Sequence, residues 1–277
     1  MMDEATLPKG YDGTTLSAFQ RRGEVIKPVE LIEVRGGERM TLLARRIYNQ
    51  LLANAFGPNM ADEGRMFKIT MAELRGNNPS SQRVIEALGV LRRTDVTVIL
   101  TNGDVLSVQL LGPTIRSRCG RYVSYEFHSS LIPILRDSQI FARLEMEILH
   151  GFTTKYGMAL YEIISKRVRL KHVLFNDFDI DEFRDYLGVP KGALASFGAL
   201  RVKALEPAVE EVNLLAPFSC RIDVAERLGR KVTRLRVTWW DKTKDELKAQ
   251  WQAQRERQFD LFEDEKEALT GLDGLSD

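Results

Sequence analysis

One order of secondary-structure elements occurs twice in the chain, and this repeat constrains the fold more than any other feature of the sequence. In the first half, apolar residues three and four positions apart predict an amphipathic helix over Thr41–Ala55. A short helix then begins at the capping-box pair Thr70 and Glu73. Asn77-Asn78-Pro79 predicts a turn, with its proline suited to the first position of a second helix over about Ser80–Arg92. The last two helices together predict a helix–turn–helix.

A β-hairpin is predicted directly after this helix–turn–helix. The β-rich runs Val96–Leu100 and Val105–Leu110 are joined through Asn102-Gly103, and Asn-Gly between such runs is the strongest short-range hairpin signal. A third extended piece, Tyr122–Phe127, can complete a small sheet. Helix, helix–turn–helix and hairpin in this order are typical of a winged helix, here with Asn102 at the tip of the wing.

The second half of the chain repeats the pattern. A helix predicted over Thr154–Arg169 precedes a short helix over Asp181–Leu187. A longer helix follows at about Phe197–Asn213. Two strands, Phe218–Ala225 and Lys231–Trp240, then form a second hairpin. Because the whole order recurs, the prediction of two winged helices is stronger than any single element in it.

The fold class predicted by these patterns is α+β, with two tandem winged-helix domains joined by a helix. The connecting helix is expected over Ser138–Gly151, and the glycines and prolines before residue 30 predict a flexible lead. We therefore expect four segments: a flexible lead over residues 1–30, a first winged helix over 31–150, a second over 151–245, and a polar helix with an acidic tail over 246–277.

Charge is distributed unevenly along the chain although the total is nearly neutral, at +1. Residues 1–240 hold 34 basic and 28 acidic side chains, a net charge of +6, whereas residues 241–277 have a net charge of −5. A moderately basic body is compatible with a polyanionic partner without requiring one. The acidic tail is best explained as a solvated terminus.

Several classes of protein are disfavoured by composition. No run approaches the ~18 apolar residues of a membrane-spanning helix, and the N-terminus lacks the pattern of a signal peptide, so we expect no membrane association. The two cysteines, Cys119 and Cys220, are too few for a disulfide framework, which favours a cytoplasmic location.

No pattern in the sequence indicates a reaction, so we expect no enzyme activity, no cofactor and no metal. The chain has no glycine-rich phosphate loop, no cysteine pair at zinc-ligand spacing and no His-x-His pair such as nicking enzymes need. Its histidines, His128, His150 and His172, are isolated from one another. The carboxylates of Asp179–Glu182 lie at a predicted helix start, where they are better explained as caps than as metal ligands.

The second winged helix has basic residues where DNA contacts are expected. A helix–turn–helix sets its second helix into the major groove with its early residues toward base edges. Here those positions include Arg201 and Lys203, of which arginine pairs well with guanine. Lys191 lies in the preceding turn, and Arg230 and Lys231 lie at the hairpin tip. In a straight helix Arg201 would fall on the apolar face, although a kink at Pro207 can change that phase, so Lys203 is the firmer candidate.

The corresponding positions of the first winged helix are the start of its second helix, the expected wing tip and a basic loop nearby: Asn78, Ser80, Ser81, Gln82, Arg83, Asn102, Arg116, Arg118 and Arg121. Each of these residues alone is equally well explained as an exposed polar group on a solvated face. Their joint position at helix starts and hairpin tips favours double-stranded DNA as the partner.

Four segments of the chain resemble one known family: Leu31–Asn49, Thr154–Glu162 (Thr-Lys-Tyr-Gly-Met-Ala-Leu-Tyr-Glu), Phe178–Val189 and Leu200–Asn213 (Leu-Arg-Val-Lys-Ala-Leu-Glu-Pro-Ala-Val-Glu-Glu-Val-Asn). The last segment is the most specific, and Gly229–Val232 fits the second wing. On these residues the chain, over about 31–240, resembles the iteron-type plasmid replication initiator proteins, which are built from two winged helices.

The resemblance implies binding to short tandem repeats at a plasmid origin, opening of the adjacent AT-rich duplex, and recruitment of the host initiator ATPase and the replicative helicase. It also implies a homodimer in equilibrium with a monomer, in which the dimer represses its own promoter and the monomer initiates. The first winged helix then supplies the dimer contact and contacts to the DNA backbone, and the second supplies the main major-groove contact. One departure is Val202, which interrupts the family's run of basic residues.

Two other functions are compatible with the same sequence. A transcriptional repressor would use the same winged helices without acting at an origin, and loss of plasmid maintenance in folded variants of Arg201 and Lys203 distinguishes the two. A protein-interaction scaffold would pack partners rather than DNA, and it predicts no retardation of duplex DNA at low salt.

Overall fold

The computed structural model describes residues 13–76, 78–100, 102–168 and 173–253. The first twelve residues, Asn77, His172 and the acidic tail beyond residue 253 lie outside the described residues. Within the described residues, no helix is both long and apolar enough to span a bilayer.

The first half of the chain holds most of the strands. Its elements in chain order are β1 (Glu24–Pro28), α1 (Leu42–Ala55), β2 (Phe67–Thr70), α2 (Met71–Arg75), α3 (Ser81–Arg93), β3 (Asp95–Ile99), β4 (Val105–Gln109), β5 (Leu111–Arg116), β6 (Tyr122–Phe127), α4 (Ile132–Asp137), β7 (Phe141–Glu145) and α5 (Met146–Gly151).

The second half is simpler. Its elements are α6 (Lys155–Ser165), β8 (Phe175–Asp179), α7 (Ile180–Leu187), α8 (Phe197–Leu200), a π-helical turn (Arg201–Leu205), α9 (Glu206–Leu215), β9 (Phe218–Leu228), β10 (Lys231–Asp241) and a helix over 244–253.

Both halves contain the same three-stranded antiparallel sheet, which confirms the predicted repeat of winged helices. In the first, the strand before the helix–turn–helix pairs with the second strand of the following hairpin, giving the order β2-β6-β5. In the second, the equivalent order is β8-β10-β9. The outer strand of each hairpin is thus an edge, and the turn that joins its two strands forms the wing.

The predicted wing of the first winged helix is wrong. The hairpin of β3 and β4, which ends at Asn102, is a separate two-stranded sheet inserted before the wing. The true wing is the hairpin of β5 and β6, with Ser117–Arg121 at its tip. The sequence pattern misses β5 because Gly112 and Pro113 interrupt it, and the pairing has a bulge between Leu111 and Thr114.

Two predictions around the domain junction are also wrong. Ser138–Gly151 is not one helix: the strand β7 comes first, with Ala142 and Leu144 buried in alternation, and only Met146–Gly151 is helical. The partner of β7 is β1, so Glu24–Pro28 is a strand rather than part of a flexible lead. Earlier still, Thr15 donates from both its backbone N–H and its hydroxyl to the carbonyl of Ser138.

The helix starts follow the predicted capping. The Thr70 hydroxyl and the Glu73 carboxylate each accept the other residue's backbone N–H, which is a complete capping box. Asp179 accepts from the backbone N–H groups of Asp181 and Glu182, so this carboxylate is a cap, as predicted. The one difference is that Ser80 caps α3, which leaves Pro79 before the helix rather than at its first position.

A glutamate of α9 fixes the start of α6. The Glu211 carboxylate accepts from the backbone N–H and the hydroxyl of both Thr153 and Thr154. A side chain at Gly157 would collide with this carboxylate.

Asn213 of α9 also has a structural role, since its side-chain amide group accepts the backbone N–H of Cys220 and donates to the C=O of Cys220 at the start of the wing. The Glu-Val-Asn end of the recognition helix therefore holds that helix on its neighbours.

We expect Glu211→Gln to lower the free energy of unfolding by about 1–3 kcal/mol, because an amide offers one acceptor where the carboxylate offers two and carries no charge for the start of α6. Glu210 is the matched control, since it is exposed and lies next in the chain. Glu210→Gln should change stability by no more than about 0.5 kcal/mol. Urea unfolding of the two variants measures the difference, and equal effects would contradict this role.

Candidate nucleic-acid interface

The recognition helix of the second winged helix exposes three consecutive side chains near its start. Arg201, Val202 and Lys203 are all exposed, whereas Leu200 and Ala204 on either side are fully buried. In a regular α-helix three consecutive residues span about 200°, which makes a wide outward face. Two of the three side chains on this face, Arg201 and Lys203, are cations. They lie near the start of the recognition helix, which is the part that a helix–turn–helix presents to the major groove.

A π-helical turn explains why Arg201 is exposed rather than on the apolar face of a straight helix. The N–H of Glu206 donates to the carbonyl of Arg201, five residues earlier. Pro207 causes this turn, because its nitrogen has no hydrogen for the carbonyl of Lys203 and its ring crowds that carbonyl. The turn rotates the start of the helix relative to its end, so both basic residues lie outside.

The two cations differ in their neighbours. Arg201 pairs with Glu206 at 3.2 Å, and both side chains are more than half exposed, so the pair is weak and can open for another anion. Within the described residues, Lys203 makes no ion pair and no side-chain hydrogen bond. It therefore remains the firmer of the two predicted contacts.

The second wing and the turn before the recognition helix add further cations. Arg230 and Lys231 are exposed at the wing tip, as is Arg227, which the sequence pattern missed because the predicted strand ended at Ala225. Lys191 is exposed in the turn.

The Asp185 carboxyl group lies near this turn. Burial raises the pKa of Asp185, and the positive charges of Arg35 and Lys191 oppose this shift.

At the start of α3, two of the predicted contacts have structural roles. The Ser80 hydroxyl accepts the N–H of Arg83 and the Asn78 side chain accepts the N–H of Ser80, so both side chains cap the helix. Ser81 is half-buried, whereas Arg83 is exposed. Arg83 is thus the residue of this group best placed to meet DNA.

The first wing stands beside this helix start. Arg116, Arg118 and Arg121 are exposed at or next to its tip. A cleft of about 350 Å³ separates wing and helix–turn–helix, lined by Thr70, Met71, Ala72, Arg75, Ser81, Gly120, Arg121 and Tyr122. Sequence reasoning missed Arg75, although its position as the last residue of α2, just before Gly76, marked it as part of the motif.

Asn102 does not belong to this surface. Its side chain donates to the carboxylate of Asp104 and accepts the Asp104 N–H, an arrangement that shapes its own turn. It lines a different cleft, beside Pro133, Ile134 and Ile140. The Asn-Gly signal predicts a hairpin correctly, but it does not indicate which hairpin of the domain is the wing.

The corrected position of the wing gives a direct prediction. We expect the double variant Arg118→Ala/Arg121→Ala to weaken DNA binding and to lower the slope of log affinity against log salt by about 1 for each arginine that contacts a phosphate. Asn102→Ala, on the other hairpin, should leave both quantities unchanged. Fluorescence anisotropy titrations at several salt concentrations measure both quantities. A larger loss of affinity from Asn102→Ala would show that the hairpin of β3 and β4 is the wing that contacts DNA.

The described His, Cys, Asp and Glu side chains form no cluster of three or more that could serve as a metal site. His128 accepts the N–H of Ser130, while His150 lies 3.3 Å from the amide nitrogen of Gln50. Hydrogen bonds from Ser117 and Arg121 lower the pKa of the Cys119 thiol at the first wing, and burial raises the pKa of Cys220 to about 12.

Comparison with known proteins gives two family matches and matches to 21 chains of solved structures. The model described as "Initiator Replication protein, WH1" matches residues 24–165, and "Initiator Rep protein, WH2" matches residues 179–239. One of these solved structures is described as "Crystal structure of Pi initiator protein in complex with iteron DNA". It is 18% identical with a TM-score of 0.59, over 82% of this chain and 100% of that chain, which is a likeness of fold. No curated protein matches.

Proposed function

The chain belongs to the initiator replication protein family, and from this premise we propose that it starts replication at a plasmid origin by binding tandem repeats in double-stranded DNA. The observation that carries the proposal is that the same arrangement of DNA-binding elements occurs in both halves of the chain. Each winged helix presents a recognition helix and a wing, both with exposed cations. The solved initiator of the same fold is bound to iteron DNA, which supports the same class of ligand here.

The proposed DNA contacts are the exposed cations of both units: Arg83, Arg116, Arg118 and Arg121 in the first, and Lys191, Arg201, Lys203, Arg230 and Lys231 in the second. Because the two units are tethered, docking of the second becomes intramolecular once the first is bound, so each can be weak alone. Binding energy from both units would be available to distort and open the adjacent AT-rich duplex.

Further partners follow from the family resemblance rather than from geometry. We propose that the chain recruits the host initiator ATPase and the replicative helicase, acts in the cytoplasm, and exists as a homodimer and a monomer, of which the dimer represses its own promoter. We assign the chain no catalytic step of its own.

Two assays test the proposed function. Gel retardation with the DNA that flanks the gene should show binding that weakens steeply with salt, since phosphate contacts release counterions. Plasmid maintenance should then fail when the gene is replaced by a folded variant that does not bind. Binding without any effect on maintenance would favour a repressor, and absence of retardation at low salt would favour a protein-interaction scaffold.

A further inference from the structure

The second wing ends in a ribbon that projects from its sheet. Strand β8 covers β10 only from Arg234 to Thr238, whereas β9 pairs with β10 as far as Leu228 and Lys231. The first three residues of β10, directly after the turn, thus extend about 10 Å past the third strand. Val232, the middle one of these three residues, is only 3% exposed, so the ribbon is packed on one side to within one residue of Lys231 and its tip is held in place.

The turn at the end of this ribbon is tight. Leu228 and Lys231 are paired across the strands, which leaves Gly229 and Arg230 as a two-residue loop. Gly229 has a φ of 60° and Arg230 has a negative φ, the pattern of a type II′ turn with glycine at its first central position. Such a turn continues the twist of the strands and places Leu228 in the last residue pair before the loop, at the end of the projection.

Leu228 is 77% exposed, more than any other large apolar side chain among the described residues. Its neighbours Arg227, Arg230 and Lys231 are exposed cations, and Glu226 is the single acidic residue between 226 and 231. None of these four charged side chains forms an ion pair within the described residues. One leucine inside a cationic tip is too small for an apolar docking patch, and the surrounding charge is complementary to a polyanion.

We propose that Leu228 is a minor-groove wedge that inserts between base pairs beside each bound repeat. Apolar side chains of this kind partly unstack a base step and kink the duplex, and a narrow A·T-rich minor groove attracts arginines. With the recognition helix in the major groove, the wing reaches over the neighbouring groove, where Arg227, Arg230 and Lys231 would hold the phosphates on both sides of the leucine. This assignment rests on the proposed function, because it requires bound duplex DNA.

The first wing provides an internal comparison. Its tip, Ser117–Arg121, is cationic as well but has no large apolar side chain at the turn. The nearest exposed ones are Tyr122, whose ring has the Lys68 ammonium 4.1 Å from its centre, and Ile115, which lies within β5 opposite Ser124. The two wings therefore differ in chemistry, and only the second has the parts of a wedge.

The test uses the full-length chain and a duplex that contains one repeat, with 2-aminopurine placed in turn at each base step beside the recognition site. Wild-type protein should raise the fluorescence at one step, and a pair of end-attached dyes should report a bend of about 20–90°. We expect Leu228→Ala to abolish the fluorescence rise and to reduce the bend by at least about 20°. Its affinity should change little, because the lost contact is offset by the avoided unstacking.

Leu174→Ala is the matched control. Leu174 is 58% exposed beside the far end of β10, about 30 Å along the strand from the wing tip. This variant should unstack and bend DNA like the wild type.

Four outcomes would overturn the wedge. In the first, wild-type protein binds the duplex without unstacking any base step, and in the second, Leu228→Ala protein unstacks and bends the duplex like the wild type. Either result leaves the proposed function intact and removes only the wedge. Failure of wild-type protein to bind any repeat removes both. If Leu228→Ala alters self-association in sedimentation and leaves the bend unchanged, Leu228 is a protein contact instead.

Discussion

Replacing Arg201 and Lys203 together by alanine is expected to weaken binding of the repeat by roughly 2–4 kcal/mol, or about 30- to 1,000-fold in affinity. Both side chains are exposed at the start of the recognition helix, and the π-helical turn gives them one common face. Each cation can contact a guanine edge or a phosphate, and either contact is lost on truncation to alanine. Discrimination between repeat and unrelated DNA should fall as well, because base contacts carry the sequence information.

The matched control removes the same charge elsewhere. Lys244 and Lys248 are exposed on the helix over 244–253, which packs at the opposite end of the recognition helix, where the Gln250 amide donates to the carbonyl of Leu215. Lys244→Ala/Lys248→Ala should leave the affinity for DNA within about threefold of the wild type, because these two charges lie far from the proposed DNA contacts and are screened by salt. Anisotropy titrations at one fixed salt concentration compare the two. Equal losses would mean that binding follows net charge and not the recognition helix.

The second large effect concerns the stability of the fold. Glu162 of α6 is 1% exposed, and its carboxylate accepts from the Lys27 ammonium at 2.9 Å and from the Asn49 amide at 2.7 Å. Burial lowers the pKa of Lys27, while the charge of Glu162 and its hydrogen bond oppose that shift. Glu162→Ala leaves a buried ammonium without its counter-charge, which typically costs about 3–5 kcal/mol. That is a large part of the ~5–15 kcal/mol by which a domain is stable.

A double-mutant cycle separates the ion pair from simple loss of volume. Lys27→Met removes the other partner, and we expect the double variant Lys27→Met/Glu162→Ala to lose less stability than the two single variants combined, because no unpaired buried charge of this pair remains. Urea unfolding at constant m-value gives the three differences. Strict additivity would show that Lys27 and Glu162 do not depend on one another.

Local signals made much of the fold predictable. Capping residues and glycines fixed the starts and ends of helices, as at Thr70 and Asp179, because these groups act on the backbone a few residues away. Pairing between distant strands could not be derived in this way. Strand β7 was predicted as helix because its apolar spacing also fits a helix, and only its partner β1, more than a hundred residues earlier, decides the matter.

The candidate site was predictable to a similar degree. Exposed cations at the start of the recognition helix and at the second wing follow from their positions in the motif. For Arg201 the sequence left the exposure open, because regular periodicity places it on the apolar face and Pro207 indicates only that the helix phase can change. The π-helical turn decides the matter. The cleft between Arg75 and Arg121 joins residues far apart in sequence, and the wing that brings them together was hidden by Gly112 and Pro113.

Both winged helices are expected to bind one duplex at the same time. Hydroxyl-radical footprinting of the wild-type chain on the repeat measures this directly. We expect the wild-type chain to protect about two helical turns, ~20 bp. In Arg201→Ala/Lys203→Ala, the half of this protection that belongs to the second winged helix should be lost. Protection confined to a single turn, unchanged by that double variant, would contradict this expectation.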